Sequence, residues 1–183
     1  MSVTISILPP IYRFTNFLVY FRDLISTRFF IKSACENFSR RKAIRHSYGN
    51  SSWADKLTNM KTKTVFLIGN CKKNTSQELL KLESDDQRDI IQWDIRDSFQ
   101  NLTIKEVLFL KFQYLYCGEL THVYKGDDDV FVNLIGLGRL IASQIKATDL
   151  FIGSVLDGSP RIADRVDAPC HSTLTTFWAK AQS

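Results

Sequence analysis

Val123-Tyr124-Lys125-Gly126-Asp127-Asp128-Asp129-Val130-Phe131-Val132-Asn133 sets three aspartates side by side between two apolar, β-branched runs. Residues 121–125 and 130–132 have the composition of strands, so the acids are expected at a strand end, where α/β sheets hold their ligands. Adjacent carboxylates repel one another, and burying them unpaired would cost far more. A divalent cation removes both penalties. Mg²⁺ and Mn²⁺ take hard oxygen ligands and keep positions open for phosphate oxygens. The competing reading is a solvated acidic turn, or an acidic helix start favoured by the helix dipole. The apolar residues on both sides weigh against it, because a solvated turn needs no such burial.

Outward from this stretch, strand-like and helical patterns alternate. Residues 29–33 read as a buried strand, and 39–48 as a basic helix with Ala43 and Ile44 inward and Gly49 as its stop. Residues 64–68 read as a second strand, 76–83 as a short helix with Leu79, Leu80 and Leu82 inward, 89–93 as a third strand and 94–101 as a polar loop. The clearest helix covers 102–116, where Ile104, Val107, Leu108, Phe112 and Leu115 recur at three- and four-residue spacing and Asn101 can cap the start. A fourth strand leads into the aspartates. Asn133 then caps a helix with Leu134, Leu137, Leu140 and Ile141 inward, 150–155 form a fifth strand, and 163–183 give no element. Such alternation predicts an α/β domain with a mainly parallel sheet covered on both faces.

The bulk numbers agree with one such domain. The chain has 183 residues, 44% of them hydrophobic and 12% aromatic, which suits a globular protein with a real core. The net charge is +5, but the basic residues are scattered, and the one tight cluster, Arg40, Arg41, Lys42 and Arg45, comes with no nucleic-acid motif. Nucleic acid is therefore not expected as a partner, and phosphates of a small ligand suit that cluster as well. Cys35, Cys71, Cys117 and Cys170 lie far apart with no C-x-x-C pair, which argues against structural zinc and leaves two disulfides or buried thiols open. Asn37, Asn50, Asn74 and Asn101 open glycosylation tripeptides usable in a secretory lumen. His46, His122 and His171 have no partners at ligand spacing and are read as solvated or packed. Residues 14–25 are apolar-rich but interrupted by Thr15, Asn16, Arg22 and Asp23, too short and too polar for a spanning helix, and no signal pattern is visible.

Four blocks together resemble the β-1,3-galactosyltransferase and β-1,3-N-acetylglucosaminyltransferase family. They are Phe30-Ile31-Lys32-Ser33-Ala34 with the run from Arg40 to Gly49, in which the family usually has Trp where Tyr48 stands; Val65-Phe66-Leu67-Ile68-Gly69; Glu83-Ser84 with the run from Asp89 to Lys105; and the run from Cys117 to Asn133, continued by Phe151-Ile152-Gly153. The resemblance implies a GT-A type nucleotide-sugar domain over 29–161, between divergent segments 1–28 and 162–183. It also implies a Golgi hexosyltransferase on the luminal side, which moves galactose or N-acetylglucosamine from a UDP-sugar to a glycan hydroxyl with inversion, forming a β-1,3 link.

By the same resemblance Asp129 would coordinate Mn²⁺ or Mg²⁺. Asp127 would assist the metal or orient the ribose or a water, and Asp128 would stand between these roles. Arg41, Arg45, Asp97 and Lys105 would face the nucleotide; helix-surface solvation is the alternative for the two arginines and for Lys105. Cys117 matches a family position and is expected to be structural, disulfide-bonded or not. The family's acceptor-side stretch and the later Glu-Asp pair that carries its base find no match after Ser159-Pro160-Arg161, and Asp157, Asp164 and Asp167 are not placed as a base. No catalytic residue is therefore assigned. The alternatives to an active transferase are a truncated UDP- and Mn²⁺-binding fragment that transfers nothing, alone or associated with a full-length relative, and a non-functional truncated copy that does not fold stably.

Overall fold

The computed structural model describes residues 27–117, 120–143, 150–153 and 176–179. In chain order they form β1 (Thr27–Lys32), α1 (Phe38–Arg45), α2 (Ser51–Thr58), β2 (Thr62–Asn70), α3 (Asn74–Gln87), β3 (Ile90–Arg96), a 3-10 turn (Phe99–Asn101), α4 (Leu102–Tyr116), β4 (His122–Asp127), α5 (Leu134–Ser143), β5 (Leu150–Gly153) and β6 (Thr176–Ala179). The six strands make one sheet in the order β3-β2-β1-β4-β6-β5. The first four are parallel, and β6 runs antiparallel to both β4 and β5. The fold is α/β with a mainly parallel sheet, of the GT-A-like kind.

The order fixes where a ligand can lie. From β1 the chain steps outward through β2 to β3, then returns to place β4 on the other side of β1. The β1/β4 boundary is thus the point where strand order reverses, the place where open α/β sheets hold their ligands. Register puts Lys32, the last residue of β1, opposite Asp127, the last residue of β4. The aspartates therefore project from the tip of a strand at the reversal point. Residues 130–132 are not a strand but a link to α5, with Val132 buried and Phe131 exposed.

Two cores flank the sheet. Phe29, Ile31, Phe66 and Ile68 meet Ile44 of α1, Ala54 of α2, Leu80 of α3 and Leu134, Leu137 and Ile141 of α5 on one face. Phe30, Val65, Leu67, Ile91, Trp93 and Val123 meet Phe109 and Phe112 of α4 on the other. A right-handed crossover reverses its face when the step direction reverses, which sends α4 to the side opposite α1 and α3.

Several local expectations need correction. α2 was not predicted: the helix expected to run to Tyr48 ends at Arg45, and a second begins after Asn50, whose Oδ1 accepts from Trp53 N at 3.3 Å. Only Ala54 and Thr58 of α2 are buried, so it carries no apolar stripe to read. Its close approach to α5 requires Gly138, where a Cβ would come within 2.9 Å of Thr58 Cα. In α4 the buried residues are Lys105, Phe109 and Phe112, while Ile104, Val107 and Leu115 are exposed. That helix is apolar all round, so spacing does not choose a face; the Phe30–Phe109 ring contact at 5.0 Å does. Only Leu80 of the three α3 leucines is buried. The Asn101 amide does not cap α4 but donates to Arg96 O at 2.8 Å, whereas Asn133 does cap α5 by accepting from Gly136 N at 2.9 Å. β6 adds a strand where none was read, and β1 starts at Thr27, inside the expected leading segment.

Candidate functional site

The site is assembled from the tips of β1 and β4, the turn between β1 and α1, and the first turn of α1. Asp128 is the anchored member of the triplet. Its Oδ2 accepts from Ser33 Oγ at 2.6 Å and Asn37 Nδ2 at 2.8 Å, its Oδ1 accepts from Arg40 Nη1 at 3.0 Å, and its side chain is only 6% exposed. Asp127 is 31% exposed and pairs with Lys32 Nζ at 2.9 Å. Asp129 is 58% exposed, with Arg40 Nη1 at 3.8 Å. The two outer acids thus face solvent on either side of a middle one that is turned inward.

A buried hydroxyl lies within electrostatic reach of Asp128 and Asp129. Tyr48 stacks edge-on against Phe131 at 5.8 Å, and its Oη has no hydrogen-bond partner among the described residues. Burial raises its pKa, and Tyr124, Asp128 and Asp129 add to the effect, so the group is a neutral phenol placed near the acids.

Arg41 and Arg45, expected at the nucleotide, are turned into the protein. Arg41 is fully buried and commits all five N–H donors: Nε and Nη2 to Glu83, Nη1 to Ser33 Oγ and Ala34 O, and Nη2 also to Cys35 O. Arg45 reaches Glu83 at 2.7 Å and grips both oxygens of Asp89 at 2.7 and 2.8 Å. Burial alone would raise the Glu83 pKa, but hydrogen bonds from Arg41 and Arg45 outweigh it and hold the group below its ordinary value. The geometry thus differs from both sequence readings of these arginines: they are neither surface-solvated nor open to a phosphate, and they fix the turn that carries Ser33 and Asn37.

Lys105 and Asp97 are brought together at 2.8 Å at the carboxyl end of the sheet. Lys105 also donates to Ser33 O at 3.2 Å, and Asp97 accepts from Gly69 N at 3.3 Å. Lys105 is buried, not a helix-surface lysine, and the pair ties α4 to the ends of β1 and β2. Lys125, buried on the same face as Lys105, pairs with Glu106.

Cys35 and Cys71 form a disulfide that joins the turns after β1 and β2. Cys117 is a buried free thiol whose pKa burial pushes up to about 12, which suits a structural role and not a nucleophile. His46 Nδ1 lies 2.7 Å from Lys42 O within its own helix, and His122 lies 2.9 Å from Thr121 Oγ1 at the amino end of β4. Of the tripeptide asparagines, Asn37 is committed to Asp128, Asn50 caps α2, Asn101 bonds Arg96 O, and Asn74 stands exposed at the start of α3. Asp157, Asp164, Asp167, Cys170 and His171 lie outside the described residues, as do most of segments 1–28 and 162–183.

Lys32, Ser33, Tyr48 and Glu83 were not singled out as site residues from sequence, while Asn37 was read only as a glycosylation candidate and Arg40 only within the basic cluster. All six fall within the quoted blocks or next to them, which is the one signal that could have found them.

A metal can be weighed against this donor set. Among the described residues no three His, Cys, Asp or Glu side chains come together as a metal site. Two open carboxylates suit Mg²⁺ or Mn²⁺, which use one or two protein acids and complete their shell with water and phosphate. The orphaned Tyr48 hydroxyl fits the same picture, since it can satisfy a bound water.

Sequence comparison places these features in a wider set. The model of the family described as Galactosyltransferase matches residues 39–178, past the last motif quoted above. The chain is 39% identical over 165 residues to the Homo sapiens N-acetyllactosaminide beta-1,3-N-acetylglucosaminyltransferase 2, covering 79% of this chain and 41% of that protein. It is 39% identical over 130 residues to the Mus musculus UDP-GlcNAc:betaGal beta-1,3-N-acetylglucosaminyltransferase 7, covering 69% of this chain and 33% of that one. It is 38% identical over 141 residues to the Homo sapiens lactosylceramide 1,3-N-acetyl-beta-D-glucosaminyltransferase, covering 74% and 37%. The chain thus spans about two fifths or less of the length of these relatives.

Proposed function

Because the chain belongs to the galactosyltransferase family, we propose that its sheet binds a UDP-sugar at the β1/β4 tip and serves inverting transfer of a hexose to a glycan hydroxyl, forming a β-1,3 link. The observation that carries this reading is the triplet itself: Asp127, paired with Lys32, and Asp129 face solvent at the point where strand order reverses, while Asp128 is held inward by Ser33 and Asn37. A locked middle acid fixes the geometry of its neighbours, as a preorganised site requires. N-acetylglucosamine is the first donor sugar to try, since the relatives above are named for it, with galactose second.

Asp129 and Asp127 would hold Mn²⁺ or Mg²⁺, which when bound stabilises the negative charge that grows on the departing diphosphate. Asp128 acts on that site through its neighbours. Asp97 and Lys105 shape the floor beside the nucleotide, and Arg41 and Arg45 hold the turn above it. The Cys35–Cys71 disulfide supports an oxidising compartment, in keeping with the Golgi lumen proposed here. No helix among the described residues is long and apolar enough to cross a membrane.

The test is calorimetric titration of UDP into the purified chain with and without Mn²⁺. Binding that needs Mn²⁺ and is lost in Asp129→Ala supports the reading; a folded sample that binds no UDP under either condition overturns it. Transfer from UDP-N-acetylglucosamine or UDP-galactose to a β-linked sugar acceptor then separates a transferase from a domain that only binds.

A further inference from the structure

α1 presents two consecutive arginines in opposite situations. Arg41 is fully buried with every donor committed. Arg40 is 50% exposed, and of its five N–H donors only one makes a hydrogen bond within the described residues, to Asp128 Oδ1 at 3.0 Å. The same Nη1 stands 3.8 Å from Asp129 Oδ2. Asp128 does not depend on Arg40 to stay in place, because Ser33 and Asn37 already hold its other oxygen.

We infer that Arg40 is an exchangeable counter-ion: it neutralises Asp128 and Asp129 while no divalent ion is bound, and turns to the diphosphate when one is. The inference rests on the reading of this tip as a metal and UDP site. A guanidinium 3.8 Å from the outermost carboxylate occupies space and charge that a divalent ion at Asp129 would claim, and the two cations repel. The arginine can yield at little cost, since a half-exposed ion pair is weak and the side chain is long. A planar fork released beside a bound diphosphate finds a bidentate acceptor there. Metal and nucleotide then bind with positive coupling, because each makes the arginine's new position more favourable for the other.

The variant Arg40→Gln separates this role from a plain structural one. Mn²⁺ binding is measured by the loss of the free-ion electron paramagnetic resonance signal, with and without UDP, in wild type, Arg40→Gln and Arg40→Lys, each checked for an unchanged thermal melt. The expected result is a crossing of signs. Arg40→Gln binds Mn²⁺ alone about threefold or more tightly than wild type, as loss of a competing surface cation allows. Its UDP affinity in Mn²⁺ falls, and the factor by which UDP tightens Mn²⁺ shrinks about fivefold or more, the lower end of ordinary coupling energies. Arg40→Lys keeps part of that coupling. If wild type binds UDP with Mn²⁺ but Arg40→Gln leaves Mn²⁺ affinity unchanged or weaker, this inference fails alone. If wild type binds no UDP with Mn²⁺, the inference and the reading of the site fall together.

Discussion

Two of the places where arginine meets carboxylate among the described residues behave differently. At the tip of β4, Arg40 lies over Asp128 and Asp129 with half of its side chain in water. Below α1, Arg41 and Arg45 converge on Glu83 of α3, and Arg45 also on Asp89 before β3, nearly out of solvent. The chemistry of the pairs is the same; the burial is not. A buried pair has lost its hydration and holds only while every partner stays. An exposed pair can open, exchange and accept a ligand, because water takes over whatever bond is released. The knot under α1 builds the turn, and the tip is left free to work.

The comparison breaks most visibly when one partner of the knot is removed. Arg41→Ala leaves Glu83 half-stripped and frees Ser33, Ala34 O and Cys35 O, so stability should fall by about 3–5 kcal/mol in denaturant unfolding. Asp129→Ala at the exposed tip should change stability by less than about 0.5 kcal/mol. Equal losses in the two variants would show that burial does not separate them.

Acid titration sharpens the same contrast. The Glu83 pKa lies below its ordinary value of 4.5, so its contribution is fully present above about 4.5 and is lost as pH falls through the folded value. Stability should therefore decline on acidification below about 4.5, and Glu83→Gln should flatten that part of the curve. A decline of the same steepness in Glu83→Gln would assign the acid sensitivity to other groups.

The tip was readable from sequence and the knot was not, for a physical reason. Asp127 to Asp129 and their strand-like flank are contiguous, so local composition alone placed them at a strand end. The partners of Asp128 are remote: Ser33 is 95 positions away and Asn37 is 91, brought in by the β1/β4 pairing. Glu83 lies 42 residues from Arg41 and 38 from Arg45, and nothing local marks those three as one unit. The disulfide is of the same kind, since four cysteines allow several pairings and only the fold brings Cys35 to Cys71. α4 failed for the opposite reason: it offers an apolar residue at nearly every angle, so its buried face follows from the aromatic rings across it. β6 reads poorly because its antiparallel neighbours, β4 and β5, lie elsewhere in the chain.

Tyr48 lies between the two regions, and its substitution gives a smaller effect than breaking the knot, with a sign that tells the regions apart. The residue is buried like the knot, yet its hydroxyl has no partner among the described residues and the neighbouring acids disfavour its ionisation. An unsatisfied buried hydroxyl costs about 1–3 kcal/mol, and a phenylalanine keeps the ring and its edge contact with Phe131. Tyr48→Phe should therefore raise stability without metal by about 1 kcal/mol, the low end of that range. If the hydroxyl meets a water of a bound ion, the same change should weaken Mn²⁺ binding several-fold, so the variant would melt higher alone and gain less from Mn²⁺ with UDP. A lower melting temperature without metal would mean that the hydroxyl already has a partner and belongs to the buried framework. A higher one with Mn²⁺ binding unchanged would leave it an orphan of packing. Only the rise without metal together with the loss of binding places Tyr48 with the tip.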